Sequence, residues 1–175
     1  MALVVFLRGV NVGGHRTLRP AELARQLKHL DVVNIGAAGT FVVRKPVTIA
    51  KLRAELTRRL PFETDIMICD GKEMIGLMTR HPYAGQPASK DVVRFVSVLP
   101  QRARVKPSLP IQLPATGEWL LRLLAVDGRY AYGAYRRDMK VVGYLGQIDR
   151  LLGVQVTTRN WNTIAAITKA LQRPE

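Results

Sequence analysis

Over residues 2–79 the hydrophobic pattern switches repeatedly between the alternation of strands and the three-to-four spacing of helices, and this constrains the fold more than any other feature. Ala2 to Arg8 reads as a strand from its β-branched and aromatic content. A glycine-rich connection follows, Gly9-Val10-Asn11-Val12-Gly13-Gly14-His15-Arg16. Pro20 suits the first turn of a helix whose stripe is Leu23, Leu27 and Leu30. Val32–Ala37 and Thr40–Arg44 read as strands around a small-residue turn, Ala38-Gly39. Thr48 can cap a second helix with Ile49, Leu52, Leu56 and Leu60 inward, Lys51, Arg53, Arg58 and Arg59 in solvent, and Pro61 at its end. Asp65–Asp70 is a further strand, and Gly71–Met78 a short helix. The order β-α-β-β-α-β is that of a ferredoxin-like, or split β-α-β, arrangement: one antiparallel sheet with both helices on one face. The expected class is therefore α+β.

Residues 80–90, with His81-Pro82, Gly85 and Pro87, have the composition of a linker. The expected division is thus a ferredoxin-like subdomain over 1–79, a linker over 80–90 and a smaller α+β subdomain over 91–175. In the latter, Asp91–Leu99 is a strand, and Pro100–Pro114, with four prolines plus Arg102, Arg104 and Lys106, is extended or irregular. Trp119–Val126 and Arg129–Tyr135 form a hairpin around Asp127-Gly128. Gly143–Gly153 reads as one helix with Leu145, Ile148, Leu151 and Leu152 inward.

Near the C-terminus, Arg159-Asn160-Trp161-Asn162 sets a guanidinium, an indole and two carboxamides directly ahead of a helix with the apolar stripe Ile164, Ile167, Leu171. Asn162 is the expected cap. A helix start offers free N–H groups, so Arg159 beside it can serve an anion, or equally act as a structural strut. Trp161 is expected in the core.

Charge narrows the partner. The chain carries 27 Lys+Arg against 13 Asp+Glu, a net +14, which points to nucleic acid or another polyanion. The excess is spread evenly, 14 basic against 7 acidic residues over 1–90 and 13 against 6 over 91–175, so there is no basic arm or tail. The Lys/Arg expected to contact nucleic acid are Arg102, Arg104, Lys106, Arg129, Arg136 and Arg137. Tyr130 and Tyr132 share a strand face near these arginines, where they can stack bases or pack inward. No apolar run approaches the roughly 20 residues of a membrane helix. With one cysteine, Cys69, and an apolar start unlike a signal peptide, the expected location is cytoplasmic.

Catalytic chemistry finds little footing. Gly9 to Gly14 has the frame of a phosphate loop, but His15-Arg16 stands where Lys-Ser/Thr belongs. His15, His29 and His81 are far apart and lack metal-ligand spacing. Ser89, Ser97 and Ser108 sit in no nucleophile motif, and Cys69 reads as a buried small hydrophobe. Phe6 and Phe41 lie where an RNA-recognition module stacks bases, yet Gly39-Thr40-Phe41-Val42-Val43 matches its consensus poorly, and both read as core. No catalytic residue, metal or cofactor is expected.

Phe6-Leu7-Arg8-Gly9-Val10-Asn11-Val12-Gly13-Gly14 and Thr157-Thr158-Arg159-Asn160-Trp161-Asn162-Thr163 resemble the two ends of the bacterial family catalogued as domain of unknown function 1697. The resemblance implies a two-part α+β protein with a ferredoxin-like half, and brings no established activity. The chain departs from the family's pattern at Ala37-Ala38-Gly39-Thr40, where the family usually has Gln-Ser-Gly-Asn, and at Met139-Lys140, where it often has Ser-Lys. The ligand-binding candidates are Arg8, Asn11, Gly13, Gly14, Lys140, Arg159, Asn160 and Asn162. Three functions remain open: binding an anion, nucleic acid foremost; an enzyme acting on a phosphorylated or carboxylated small molecule in an inter-subdomain cleft; or an assembly module.

Overall fold

A computed structural model of the chain describes residues 1–80 and 82–173, so His81 lies outside the described residues. The chain divides into two compact units, one of Met1–Arg80 with Asn162–Glu175, the other His81–Trp161.

The first unit has the expected element order: β1 (Leu3–Leu7), α1 (Pro20–Gln26), a short 3₁₀ turn (Lys28–Leu30), β2 (Val32–Asn34), β3 (Thr40–Val43), α2 (Ile49–Arg59), β4 (Ile66–Asp70) and α3 (Gly71–Thr79). Its strands form one antiparallel sheet in the order β2-β3-β1-β4, with Val5 set between Phe41 and Ile68. Leu3, Val5 and Leu7 face one core together with Leu23 and Leu27 of α1 and Leu52 and Leu56 of α2, so both helices lie on one face. The opposite face is closed as well: Val4, Phe6, Val42, Met67 and Cys69 are all buried. A strand covered on both sides has no polar face to present, which is why β1 reads Leu-Val-Val-Phe-Leu without alternation. This closed face is the one on which an RNA-recognition module would stack bases.

Local signals place the helix ends. Pro20 is the first residue of α1, Thr48 Oγ1 accepts from Lys51 N (3.2 Å), and Asp70 accepts from Lys72 N (2.8 Å) at the start of α3. Two expectations for α2 need correction. Ile49, the first residue of α2, is 49% exposed, and the buried positions of the helix are Leu52 and Leu56. Arg59 is half-buried rather than solvated, since Glu55 one turn earlier accepts its guanidinium.

The second unit contains β5 (Val92–Val98), β6 (Ile111–Leu113), β7 (Leu121–Asp127), β8 (Tyr130–Arg136), α4 (Val141–Leu145), α5 (Ile148–Leu152) and β9 (Thr157–Asn160). Its antiparallel sheet runs β6-β7-β8-β5-β9, with a bulge in β7 between Leu123 and Ala125. Phe95, Leu121, Leu123 and Ala131 form its core with Val141, Ile148 and Leu152 from α4 and α5. The helix expected over 143–153 is two short helices, interrupted at Gly146-Gln147, where glycine weakens helix continuity. The last helix, α6 (Trp161–Gln172), falls almost wholly within the first unit rather than the second. Leu171 explains the placement: a Cβ at Gly71 would lie 2.9 Å from its Cδ2, so α6 packs against the start of α3. Among the described residues no helix is long and apolar enough to cross a membrane.

Candidate functional site

The proline-rich segment after β5 cannot join a sheet along its length, because prolines lack the N–H a ladder needs. It is held instead at two anchors. Leu152 ends α5, and its otherwise unpaired carbonyl accepts from both Arg104 N (2.9 Å) and Val105 N (3.1 Å). Gly153 permits this approach: it sits at φ +68°, and a Cβ there would lie 2.9 Å from Val105 Cγ2. At the other anchor, Leu99 N donates to Arg129 O (2.9 Å) while Arg129 Nε donates to Leu99 O (2.9 Å), tying the exit of β5 to the tip of the β7–β8 hairpin.

Between these anchors lies a cavity of about 490 Å³. Arg102, Lys106 and Asp127 line it together with Val105, Pro107, Leu109 and Val126. The size suits a small molecule or a single unit of a chain. Two of the expected nucleic-acid contacts thus meet in one place. Arg104 flanks them, exposed, and its Nε and Nη2 reach the Gln101 carboxamide oxygen at 3.1 Å when that amide is turned towards it. Arg129 follows Gly128, a lining residue, in the two-residue hairpin turn.

Arg136 and Arg137 belong elsewhere. They lie at the far end of β8, a seven-residue strand about 20 Å long. The Arg136 guanidinium lies 4.6 Å from the centroid of Trp119, which Arg122 also approaches at 4.3 Å, and it pairs with Glu118 at 3.1 Å. Arg137 Nε donates to Lys90 O (3.0 Å). Tyr130 and Tyr132 are 4% and 2% exposed, so of the two readings they take the inward one, and bases do not reach them.

The glycine-rich connection of the first unit is a turn clamped by its own Asn11 side chain. Asn11, in the left-handed region (φ +58°), donates through Nδ2 to Leu18 O (2.9 Å) and Ala37 O (2.8 Å), and its Oδ1 accepts from Leu18 N (2.8 Å). Both amide protons are therefore spent on backbone carbonyls. The bond to Ala37 uses main chain only, so the chain's departure at Ala37-Ala38 leaves the clamp intact. Gly13 and Gly14 are exposed at φ +58° and +75°, and Arg8 is half-buried, its carbonyl accepting from Thr64 Oγ1.

In the second motif, Arg159 lies on β9 opposite Val96, 9% exposed, with Nη1 donating to Thr158 O (3.0 Å). Burial lowers its pKa from the usual arginine value to about 10. Asn160 is exposed and Trp161 half-buried, its ring edge-on to Tyr83 at 5.0 Å between centroids. Asn162 is the second residue of α6 and not its cap, because β9 runs into the helix without an intervening residue. Asn162 belongs to the first unit, while Arg159 and Asn160 belong to the second. Lys140 is exposed ahead of α4, its N–H donating to Asp138 Oδ1 (2.8 Å). Among the described residues no group of three or more His, Cys, Asp or Glu is placed to hold a metal.

Sequence reasoning missed Asp127 and the apolar wall as site residues. The signal available was a basic, proline-rich segment, but nothing local showed that the hairpin tip closes against it.

The family model described as "Protein of unknown function (DUF1697)" matches residues 1–112. A solved structure of a conserved bacterial protein from Streptococcus pneumoniae is similar over 98% of this chain and 98% of its own, with 16% sequence identity and a TM-score of 0.60. At that identity the likeness is one of fold. No curated protein matches.

Proposed function

We propose, for a chain that belongs to the DUF1697 family of proteins of unknown function, that it binds single-stranded nucleic acid through the cavity of its second unit and the cations around it. The observation that carries this reading is the meeting of Arg102 and Lys106 in one cavity, with Arg104 and Arg129 beside it, in a chain of net charge +14. A single strand is favoured over a duplex because an apolar-walled cavity can take an unstacked base, which a duplex does not offer. The closed sheet face of the first unit and the inward Tyr130 and Tyr132 turn the reading away from base stacking on a sheet.

The test is fluorescence anisotropy of a labelled single-stranded oligonucleotide between about 50 and about 200 mM salt. If all four cations meet phosphates, the log–log slope should be about −3, which over this range is roughly a 50-fold loss of affinity. Arg102→Ala with Lys106→Ala should make the slope shallower by about 1.4. Absence of binding at low salt, or a slope unchanged in the double variant, refutes the reading.

A further inference from the structure

The polar face of the second unit's sheet gathers arginines that the cavity does not use. Phe95, Leu121 and Leu123 point to the core, so by strand alternation their neighbours Arg94 and Arg122 point to the opposite face. Arg122 on β7, Ala134 on β8 and Arg94 on β5 stand in one row across three strands, which sets the two arginine Cα atoms about 10 Å apart. Arg136, two residues beyond Ala134, shares that face. The strand positions at this end of the face are Gln112, Arg122, Ala134, Arg94, Val92 and Arg136, none of them acidic. All three arginines are half-buried, and aromatic rings hold them: Arg122 Cζ and Arg136 Cζ lie 4.3 and 4.6 Å from the Trp119 centroid, and Arg94 Cζ lies 5.3 Å from that of Tyr83. Stacking fixes a guanidinium through its plane and leaves its N–H edge available. Among the described residues neither Arg94 nor Arg122 pairs with a carboxylate, and the ion partner of Arg136 is Glu118, whose side chain is 74% exposed. Like charges gathered on one face repel, and an anion lying across them relieves that cost.

We infer that this end of the sheet is a second anion-binding surface, separate from the cavity, that takes several linked phosphate groups, either along a nucleic-acid strand or in a free oligophosphate. Arg94 and Arg122 each offer a planar, two-pronged donor to a pair of phosphate oxygens. Arg136 adds a third when the phosphate displaces Glu118, which yields because an exposed ion pair holds weakly. Arg94 is held at one ring and Arg122 at another, so the cations are spread over the face, which favours linked phosphates over a single one. The surface does not require the cavity to be occupied, and the inference therefore goes beyond the reading above.

The experiment uses the full chain and two probes, inorganic tripolyphosphate by titration calorimetry and the labelled single-stranded oligonucleotide by anisotropy. Arg94→Gln with Arg122→Gln should weaken tripolyphosphate binding about ten-fold or more. If a strand lies on this face, the same variant should also make the oligonucleotide's salt slope shallower by about 1.4. A slope that stays while tripolyphosphate binding is lost assigns the surface to free oligophosphate. Arg94→Lys with Arg122→Lys keeps both charges, so it should keep the slope and yet bind tripolyphosphate more weakly than the parent, for want of the planar fork. Glu118→Gln removes the competing carboxylate and should tighten tripolyphosphate binding by up to about five-fold, a gain that no misfolding can imitate. Glu63→Gln, at an exposed acid of the first unit, should leave it unchanged. The inference is overturned if Arg94→Gln with Arg122→Gln leaves both the slope and tripolyphosphate binding at parental values, if Glu118→Gln and Glu63→Gln act alike, or if the parent binds neither probe. Losses confined to Arg102→Ala with Lys106→Ala would overturn it too while leaving the cavity reading standing; losses confined to the Arg94 and Arg122 variants would do the reverse.

Discussion

Gly133→Ala adds one methyl group to β8 where the strand packs closely against the Phe95 ring. Gly133 pairs with Phe95 on β5 and Leu123 on β7, and an ideal Cβ there would lie 2.2 Å from Phe95 Cζ, 2.6 Å from Cε1 and 2.5 Å from the Arg122 carbonyl oxygen. Ordinary carbon contacts are about 3.5–4.0 Å, so the Phe95 ring must retreat by more than about 1 Å. It has nowhere to go: the ring is fully buried in the core and lies 5.9 Å from the Tyr135 ring. The second clash is with backbone, which no rotamer change relieves. Overpacking of this kind costs about 3 kcal/mol, the upper part of the usual range. In a chain of this size that lowers Tm by roughly 6–12 °C. Urea denaturation followed by far-UV circular dichroism measures the cost. Gly143→Ala in α4 is the control of opposite sign, since nothing lies within 4 Å of its Cβ position and alanine favours helix by about 0.5–1 kcal/mol. Phe95→Leu in the Gly133→Ala background should recover part of the loss but not all, because the Arg122 carbonyl remains. A Gly133→Ala protein within about 0.5 kcal/mol of the parent would refute the packing described here.

Two further outcomes follow from buried or committed polar groups. Asn11→Ala should destabilise by about 2 kcal/mol, through the lost clamp and the cost of alanine in the left-handed region, whereas Asn11→Gly should lose mainly the clamp; chemical denaturation of the three proteins decides. Burial, reinforced by Tyr132 and opposed by Arg94, pushes the Tyr83 hydroxyl above the usual tyrosine range, and that hydroxyl donates to the Phe95 carbonyl. The unfolded chain therefore loses this proton near pH 10 while the native one keeps it, so stability falls as pH rises above about 10. Tyr83→Phe should flatten that fall; identical Tm profiles for both proteins between about pH 9 and 11 would contradict it.

Features settled among residues close in the chain were legible before any tertiary contact was known. The order of elements in the first unit was legible because period, proline and cap are local: Pro20 opens α1, Thr48 caps α2, and strand and helix patterns alternate between them. The α+β class and the core roles of Phe6, Phe41 and Cys69 followed from the same patterning. The glycine-rich turn was recognisable too, although the work of Asn11 was not, since Ala37 is 26 residues away. Tertiary structure decided the rest. Whether Tyr130 and Tyr132 faced bases or protein depended on what covers their side of the sheet, and alternation along one strand names two faces without saying which is wet. The unit to which α6 belongs depended on a contact between Leu171 and Gly71, a hundred residues apart. The cavity depended on three segments at once, because Leu152 and Leu99 hold the basic loop against the hairpin tip only after α5, β5 and β8 are in place. Local propensity is a property of neighbours in sequence; a binding site is a property of surfaces that meet only when the chain has closed on itself.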